Sequence, residues 1–338
     1  MYTPTDALRA EYKDVWVIAE MLDNKVQSVT HELLGSARQL ADKRGSQVSC
    51  VILGSGVAGE AKPLFAYQAD KVIVVDDPSL ENFVDEVQAK VLCRLIDSYK
   101  PEIVICGATT RGRALIPRVA VMSKAGLTAD CTGLDIEPES GLLLQTRPAF
   151  GGNIMATIKC ENYRPQMSTV RPRVMTAPEP DASRSGTVIN EELSADEKSA
   201  RMRVLRVIRD SEEGVKLSDA KFIVTGGRAM KAPENFSLLH DFAKLVDGAV
   251  GASRAAVDAG WIPYPHQVGQ TGQTVQAKVY MACGVSGQIQ HLVGMQSCDY
   301  IIAINTDPEA PMMQLADVAI VGDLFEVIPK LIEELPKT

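Results

Sequence analysis

The stretch Val279-Tyr-Met-Ala-Cys-Gly-Val-Ser-Gly-Gln-Ile-Gln-His291 decides the fold. An apolar run of strand length passes through a glycine-serine turn into residues that open a helix near Gln288, which is the grammar of a strand-to-helix crossover. The same grammar recurs on either side. Phe222-Ile-Val leads through Thr225-Gly-Gly-Arg228 into a helix expected near 233–247, with Pro233 suited to its first turn. Tyr300-Ile-Ile-Ala-Ile and Val318-Ala-Ile-Val are further strands, and a last helix is expected from about Leu324 to Leu335. Short apolar strands separated by helices belong to a parallel sheet covered on both faces.

The first 125 residues repeat the pattern independently. Val15-Trp-Val-Ile-Ala, Val48-Ser-Cys-Val-Ile-Leu, Val72-Ile-Val-Val and Ile103-Val-Ile-Cys are strands, with helical stretches expected near 28–44, 57–68, 81–98 and 111–125. From Thr132 to Val174 the pattern shortens. Leu142-Leu-Leu-Gln-Thr, Asn153-Ile-Met-Ala-Thr-Ile and Gln166-Met-Ser-Thr-Val suggest antiparallel additions to that sheet. Residues 176–200, rich in proline, serine and charge, have the composition of a linker or loosely packed excursion. The expected fold class is therefore α/β, two doubly wound domains with mainly parallel sheets. The N-terminal domain covers 1–215, with antiparallel additions and a linker-like end, and the C-terminal domain covers 216–338.

Composition narrows the function. The 338 residues suit about two domains. A net charge of −8 argues against a nucleic-acid binder. No apolar run is long enough to cross a membrane, and the polar segment Met1 to Lys13 is no signal peptide. Seven dispersed cysteines without a C-x-x-C pair read as reduced thiols of a cytoplasmic protein, and no metal site is expected from them or from the four histidines.

Between Val250 and Asp323, small residues sit repeatedly beside hydrogen-bonding side chains just after strands. The segments are Val250-Gly-Ala-Ser253-Arg254, Gln267-Val-Gly-Gln-Thr271-Gly272, Gly284 to His291 and Ile302-Ala-Ile-Asn305. Glycines let backbone amides approach an anion while polar side chains fix a ring system by its edges, so a dinucleotide-like cofactor is expected here. Gly54-Ser-Gly56-Val-Ala-Gly59, followed by Asp76 and Asp77, also matches the G-x-G-x-x-G fingerprint. That match begins at the second strand of its domain, whereas the fingerprint normally occupies the first strand-to-helix turn, so it reads as a tight turn.

The C-terminal motifs, taken in order, resemble the α subunit of the electron-transfer flavoprotein family. They run from Val224-Thr-Gly-Gly-Arg228 and Glu234-Asn-Phe through Gly251-Ala-Ser-Arg-Ala-Ala-Val-Asp-Ala-Gly260, Gln267-Val-Gly-Gln-Thr-Gly272 and Ser286-Gly-Gln-Ile-Gln-His291. Ile302-Ala-Ile-Asn305, Asp307-Pro-Glu-Ala-Pro311 and Asp323-Leu-Phe325 complete the series. The N-terminal half is similar more loosely, through the 14–20 strand and Pro117-Arg-Val-Ala120.

The resemblance implies a heterodimer with a β subunit and one FAD held mainly by the C-terminal domain. It implies electron shuttling between acyl-CoA or other dehydrogenases and an acceptor, without a catalytic residue acting on substrate. Arg228 would contact the pyrophosphate region and Ser253 would anchor the cofactor, with Arg254 near the isoalloxazine. Gln267, Val268, Gly269, Gln270 and Thr271 would line the flavin, the Thr271 hydroxyl near N5. Ser286, Gly287, Gln288, Ile289, Gln290 and His291 would wrap flavin and pyrophosphate, with the His291 imidazole near the C2 carbonyl. Asn305, Asp323 and Leu324 would surround the adenosine. Many family members carry lysine after the asparagine matching Asn305; Thr306 stands here, which weakens the expectation of charge beside the adenosine and leaves the FAD assignment intact.

Positive charge from Arg254 and His291 is expected to stabilise a one-electron-reduced flavin; at about 4 Å and an effective dielectric of about 20 such a charge is worth roughly 4 kcal/mol. Two further segments, Arg147-Pro-Ala-Phe-Gly-Gly-Asn-Ile-Met155 and Arg164-Pro-Gln-Met-Ser-Thr-Val-Arg-Pro172, read as protected edge strands. They also resemble α subunits of two-flavin, anaerobe-type members, whose β subunit carries a second FAD that takes a hydride from NADH and splits the pair. Two other functions compete with the carrier. An adenine-nucleotide binding or sensing module shares this architecture, but the polar residues Thr271 and His291 favour a flavin. A dehydrogenase built on Gly54 to Gly59 lacks a proton donor, since His31 lies on an expected surface helix.

Overall fold

In the computed structural model the structure describes residues 10–149, 154–207, 217 and 220–335. The chain divides into two compact units, 1–208 and 209–338.

Valine and isoleucine runs with no polar interruption leave no face for water, so the central strands of the first unit are interior. Val15–Ile18, Val48–Gly54 and Ile103–Gly107 are buried at every position. They belong to a seven-stranded sheet in the order Thr187–Asn190, Lys71–Asp76, Val48–Gly54, Val15–Ile18, Ile103–Gly107, Gln166–Val170, Gly126–Cys131. Every pairing in it is parallel. Val15 and Val17 face helix Ser28–Arg44, whereas Trp16 and Ile18 face helices Asp85–Tyr99 and Thr110–Met122. The stretch near 57–68 is a turn of 3-10 helix, Ala58–Glu60, followed by the short helix Pro63–Ala66.

Three expectations need correction. First, Gln166–Val170 is not an antiparallel addition or a protected edge: it runs parallel between two other strands with all five residues buried. Its polar side chains are tolerated because they are paired, Gln166 Nε2 donating to Glu102 Oε1 at 3.0 Å and Ser168 Oγ to Gln145 Oε1 at 2.7 Å. Secondly, Leu143–Ala149 and Ile154–Ile158 are antiparallel but join Gly133–Ile136 in a separate three-stranded sheet; Asn153 lies outside the described residues. Thirdly, the 176–200 region is no linker throughout. Thr187–Asn190 extends the main sheet along Lys71–Asp76, and Arg94 ties the following turn down through Glu191 and Glu197, each at 2.7 Å. A polar edge strand and a linker share a composition, and only the pairing separates them.

The Gly54–Gly59 turn closes on its own acid. Asp76 accepts from the amides of Gly56, Val57 and Ala58 at 2.7, 2.9 and 2.9 Å. The amides that a phosphate would need are thus already bonded to a carboxylate. Asp76→Ala is expected to lower unfolding free energy by about 1–3 kcal/mol, because three amides lose a charged acceptor. FAD content should stay at the wild-type level. Urea midpoints and flavin content of the purified protein check both halves of this prediction.

The second unit is one five-stranded parallel sheet in the order Ala249–Ala252, Phe222–Gly226, Val279–Cys283, Ile301–Asn305, Val318–Val321. Helices Phe236–Leu245 and Leu324–Glu334 pack on Val224, Val250, Met281 and Ile304. Val268, Val275, Met295 and Met312 cover Ile223, Tyr280 and Ala303 on the other face. The chain reverses its winding between the first strand, Phe222–Gly226, and the third, Val279–Cys283. In doubly wound sheets a crevice for ligand opens at the carboxyl ends of such a pair.

Candidate cofactor site

Every side chain expected to bind cofactor lies at the carboxyl edge of this second sheet. Arg228 follows Phe222–Gly226, Ser253 and Arg254 follow Ala249–Ala252, and Ser286 to His291 follow Val279–Cys283. Asn305 ends its own strand, and Asp323 and Leu324 follow Val318–Val321. The Gln267–Thr271 loop joins the group through an amide-to-carbonyl bond from Val268 to Ala252, 2.9 Å. Residues scattered over about a hundred positions of sequence therefore share one rim.

Backbone bonds knit the loops together. The Gly227 amide donates to Cys283 O, that of Ser253 to Gly226 O and that of Gly284 to Ile304 O, at 2.8–2.9 Å. The Gln267–Thr271 loop is clamped to the next one by the Gln270 amide donating to Gln290 O at 2.7 Å. Gln267 Nε2 holds the Thr271 hydroxyl at 3.0 Å, and the Tyr264 hydroxyl donates to Thr271 O at 2.5 Å. Gly287 has φ +84, and a Cβ there would stand 2.4 Å from Met312 N, so the turn into Ile289–Leu292 needs glycine. Asn305 and Asp323 act first as structure. Asn305 Nδ2 donates to Val285 O, Asn305 Oδ1 accepts from the Asp307 amide, and Asp323 caps its helix by accepting from the Phe325 amide.

Three buried polar atoms at the carboxyl end of this sheet make no well-aligned hydrogen bond within the chain: Thr225 Oγ1, which lies beside the Tyr280 phenol, Ser253 Oγ and His291 Nδ1. Native proteins pair nearly all such atoms, so Ser253 Oγ and His291 Nδ1 are open to a hydrogen bond from a ligand group. The exposed Arg228 and Arg254 stand on the same edge, Arg254 Nε being 3.2 Å from Asp258 Oδ2.

His291 departs from expectation. Burial depresses its pKa from 6.5 to about 4, against a smaller upward pull from the Val268 backbone. It is neutral at pH 7 and supplies no positive charge to the site. Its Nε2 lies 2.9 Å from the Tyr280 hydroxyl, a partner that sequence reasoning missed. The unfolded chain binds this proton from about pH 6.5 downward, but the folded chain only below about 4. Stability of the cofactor-free chain is therefore expected to fall as pH drops from 6.5 towards 4. His291→Gln should lose that part of the slope, as urea midpoints at pH 7 and 5 would show.

The comparisons with known proteins address the same two units. The family model for the electron transfer flavoprotein domain matches residues 15–196, and that for the electron transfer flavoprotein FAD-binding domain matches residues 216–296. The chain belongs to the electron transfer flavoprotein family. An electron transfer flavoprotein subunit alpha of Thermoanaerobacterium thermosaccharolyticum is 52% identical, over 97% of this chain and 99% of that one. Another from Megasphaera elsdenii is 48% identical over 97% and 98%. Lactate dehydrogenase (NAD(+),ferredoxin) subunit LctC of Acetobacterium woodii is 41% identical over 95% of this chain and 76% of its own length.

The second unit of this flavoprotein chain is thus a FAD-binding domain, and its residues fit that cofactor. Unpaired Ser253 Oγ and His291 Nδ1, a neutral imidazole and two exposed arginines on one rim suit a ligand with an anionic diphosphate and a polar ring. Elsewhere, the arginines of the Arg164–Pro172 segment are engaged in structure. Arg164 Nε stands 2.7 Å from Glu102 and Arg171 Nη2 is 2.6 Å from Asp130. Among the described residues, no group of His, Cys, Asp or Glu is arranged to hold a metal, and no helix is long and apolar enough to cross a membrane.

Proposed function

We propose that this chain is the α subunit of a heterodimeric electron carrier whose FAD sits in the crevice between strands Phe222–Gly226 and Val279–Cys283. The observation that carries this reading is the pair of buried atoms, Ser253 Oγ and His291 Nδ1, left without a well-aligned partner at the carboxyl edge of the sheet in a FAD-binding domain. When bound, the flavin supplies one- and two-electron chemistry. The chain positions it: Arg228 meets the diphosphate, Ser253 anchors it and Arg254 brings positive charge to the ring. Gln267 to Thr271 and Ser286 to His291 form the two walls, with Thr271 at one ring edge and His291 at the other. Asn305, Asp323 and Leu324 bound the adenosine end. Its electron donors are dehydrogenases, and its direct partner is a β-type subunit. The test is the absorption spectrum of this chain purified with that subunit. A flavin spectrum bleached by a dehydrogenase and its substrate supports the reading, and a colourless complex that takes up no added FAD ends it.

A two-flavin version is favoured by one observation, the 41% identity to a subunit of an NAD(+),ferredoxin-dependent lactate dehydrogenase. In this version NADH is the reductant, and the partner subunit holds a second FAD. Two flavins per heterodimer, bleached by NADH, support it; one FAD together with AMP contradicts it.

A further inference from the structure

His291 is held by a residue outside the set assigned to the cofactor. Tyr280 lies in the strand Val279–Cys283, is fully buried, and puts its hydroxyl 2.9 Å from His291 Nε2. Thr225, on the neighbouring strand Phe222–Gly226, lies beside the same phenol. Burial raises the phenol's pKa, so its oxygen keeps its proton. A phenolic O–H next to a neutral imidazole nitrogen donates to it, and the imidazole proton must then reside on the other nitrogen. That other nitrogen, Nδ1, makes no well-aligned hydrogen bond within the chain; only the Val268 backbone of the flavin-lining loop approaches it, a weak contact that favours the same tautomer.

We propose that Tyr280 is a positioning residue that locks His291 as the neutral Nδ1–H tautomer, so that this side chain presents a hydrogen-bond donor to the cofactor side of the site. The proposal rests on the placement of FAD given above and adds which proton His291 carries and what fixes it. It explains how an imidazole too deeply buried to be cationic still offers a donor. The opposite tautomer would set two N–H or O–H donors against each other at Tyr280 unless the phenol turned to Thr225.

The tautomer is directly readable. The chain has four histidines, so selective nitrogen-15 labelling of this chain within the complex resolves each ring by its nitrogen shifts. Wild-type His291 is expected to carry its proton on Nδ1 at pH 7, with FAD bound and with FAD removed. Tyr280→Phe, which keeps the ring, should give a mixture of tautomers and weaken FAD binding roughly fivefold, the size of one net hydrogen bond. In a His291→Ala background the same replacement should leave the FAD dissociation constant unchanged, because Tyr280 acts only through His291. An Nε2–H tautomer in the wild type, or an unaltered tautomer in Tyr280→Phe, overturns the proposal. Failure of the underlying placement looks different: wild-type His291 would be locked as Nδ1–H, yet His291→Ala would bind FAD with wild-type affinity.

Discussion

Replacing Arg254 with alanine is expected to lower the first reduction potential of the bound flavin by on the order of 100 mV. Since His291 is neutral, the positive charge assigned to the ring end of the site comes from Arg254. A guanidinium about 4 Å from the charge that reduction creates, in an effective dielectric of about 20, is worth roughly 4 kcal/mol. For a one-electron couple that corresponds to about 180 mV, an upper figure. Two features reduce it. The Arg254 side chain is 69% exposed in the chain alone, and Asp258 3.2 Å away offsets part of its field. Arg254→Lys should retain most of the potential, because charge and not fork geometry is the source. His291→Gln, which exchanges the imidazole donor for an amide donor and changes no charge, should shift the potential by no more than about 40 mV, equivalent to roughly 1 kcal/mol. Spectroelectrochemical titration of the three variants ranks these effects, and equal shifts for Arg254→Ala and His291→Gln would contradict the charge assignment.

The other large effect is expected from a single methyl group at Gly227. A Cβ there would stand 2.0 Å from Gly284 O, 2.6 Å from its carbonyl carbon and 2.9 Å from Val285 Cα. All three atoms are backbone, and they belong to the loop that carries Ser286 to His291. No rotamer change relieves such a contact, so the two walls of the crevice must separate. Overpacking of this kind costs about 1–3 kcal/mol. If that cost falls mainly on the cofactor-bound geometry, Gly227→Ala should weaken FAD binding roughly tenfold or more. Gly59→Ala is the matched control, since a Cβ there meets nothing within 4 Å. FAD affinity measured by flavin fluorescence should fall for the first variant and stay level for the second.

Sequence legibility followed the physics of each element. Val48–Gly54 and Ile103–Gly107 are apolar throughout because helices cover both faces, and this alone announces a parallel sheet. Gln166–Val170 was legible as a strand, but its glutamine, serine and threonine concealed its burial and parallel pairing, because their partners Glu102 and Gln145 are remote in sequence. Thr187–Asn190 was hidden by the opposite circumstance, an edge strand largely open to solvent. At the site, glycine beside serine, glutamine and histidine marked the loops because backbone approach and ring-edge recognition both leave a compositional trace. The protonation state of His291 left none. It depends on burial beneath the loop and on Tyr280, a residue whose presence in a strand is fully accounted for by β propensity. For Gly54 to Gly59, strand position marked a tight turn in the sequence, but the role of Asp76, whose carboxylate folds back onto three amides of the turn, left no trace there.

The central claim is the location of the cofactor, and amide hydrogen exchange of the heterodimer with and without FAD tests it most directly. FAD is expected to slow exchange in peptides spanning 227–231, 253–258, 267–273 and 284–292, and to leave the turn at 54–60 unchanged. Protection confined to 54–60, with the second unit's loops exchanging at the same rate in both states, would contradict it.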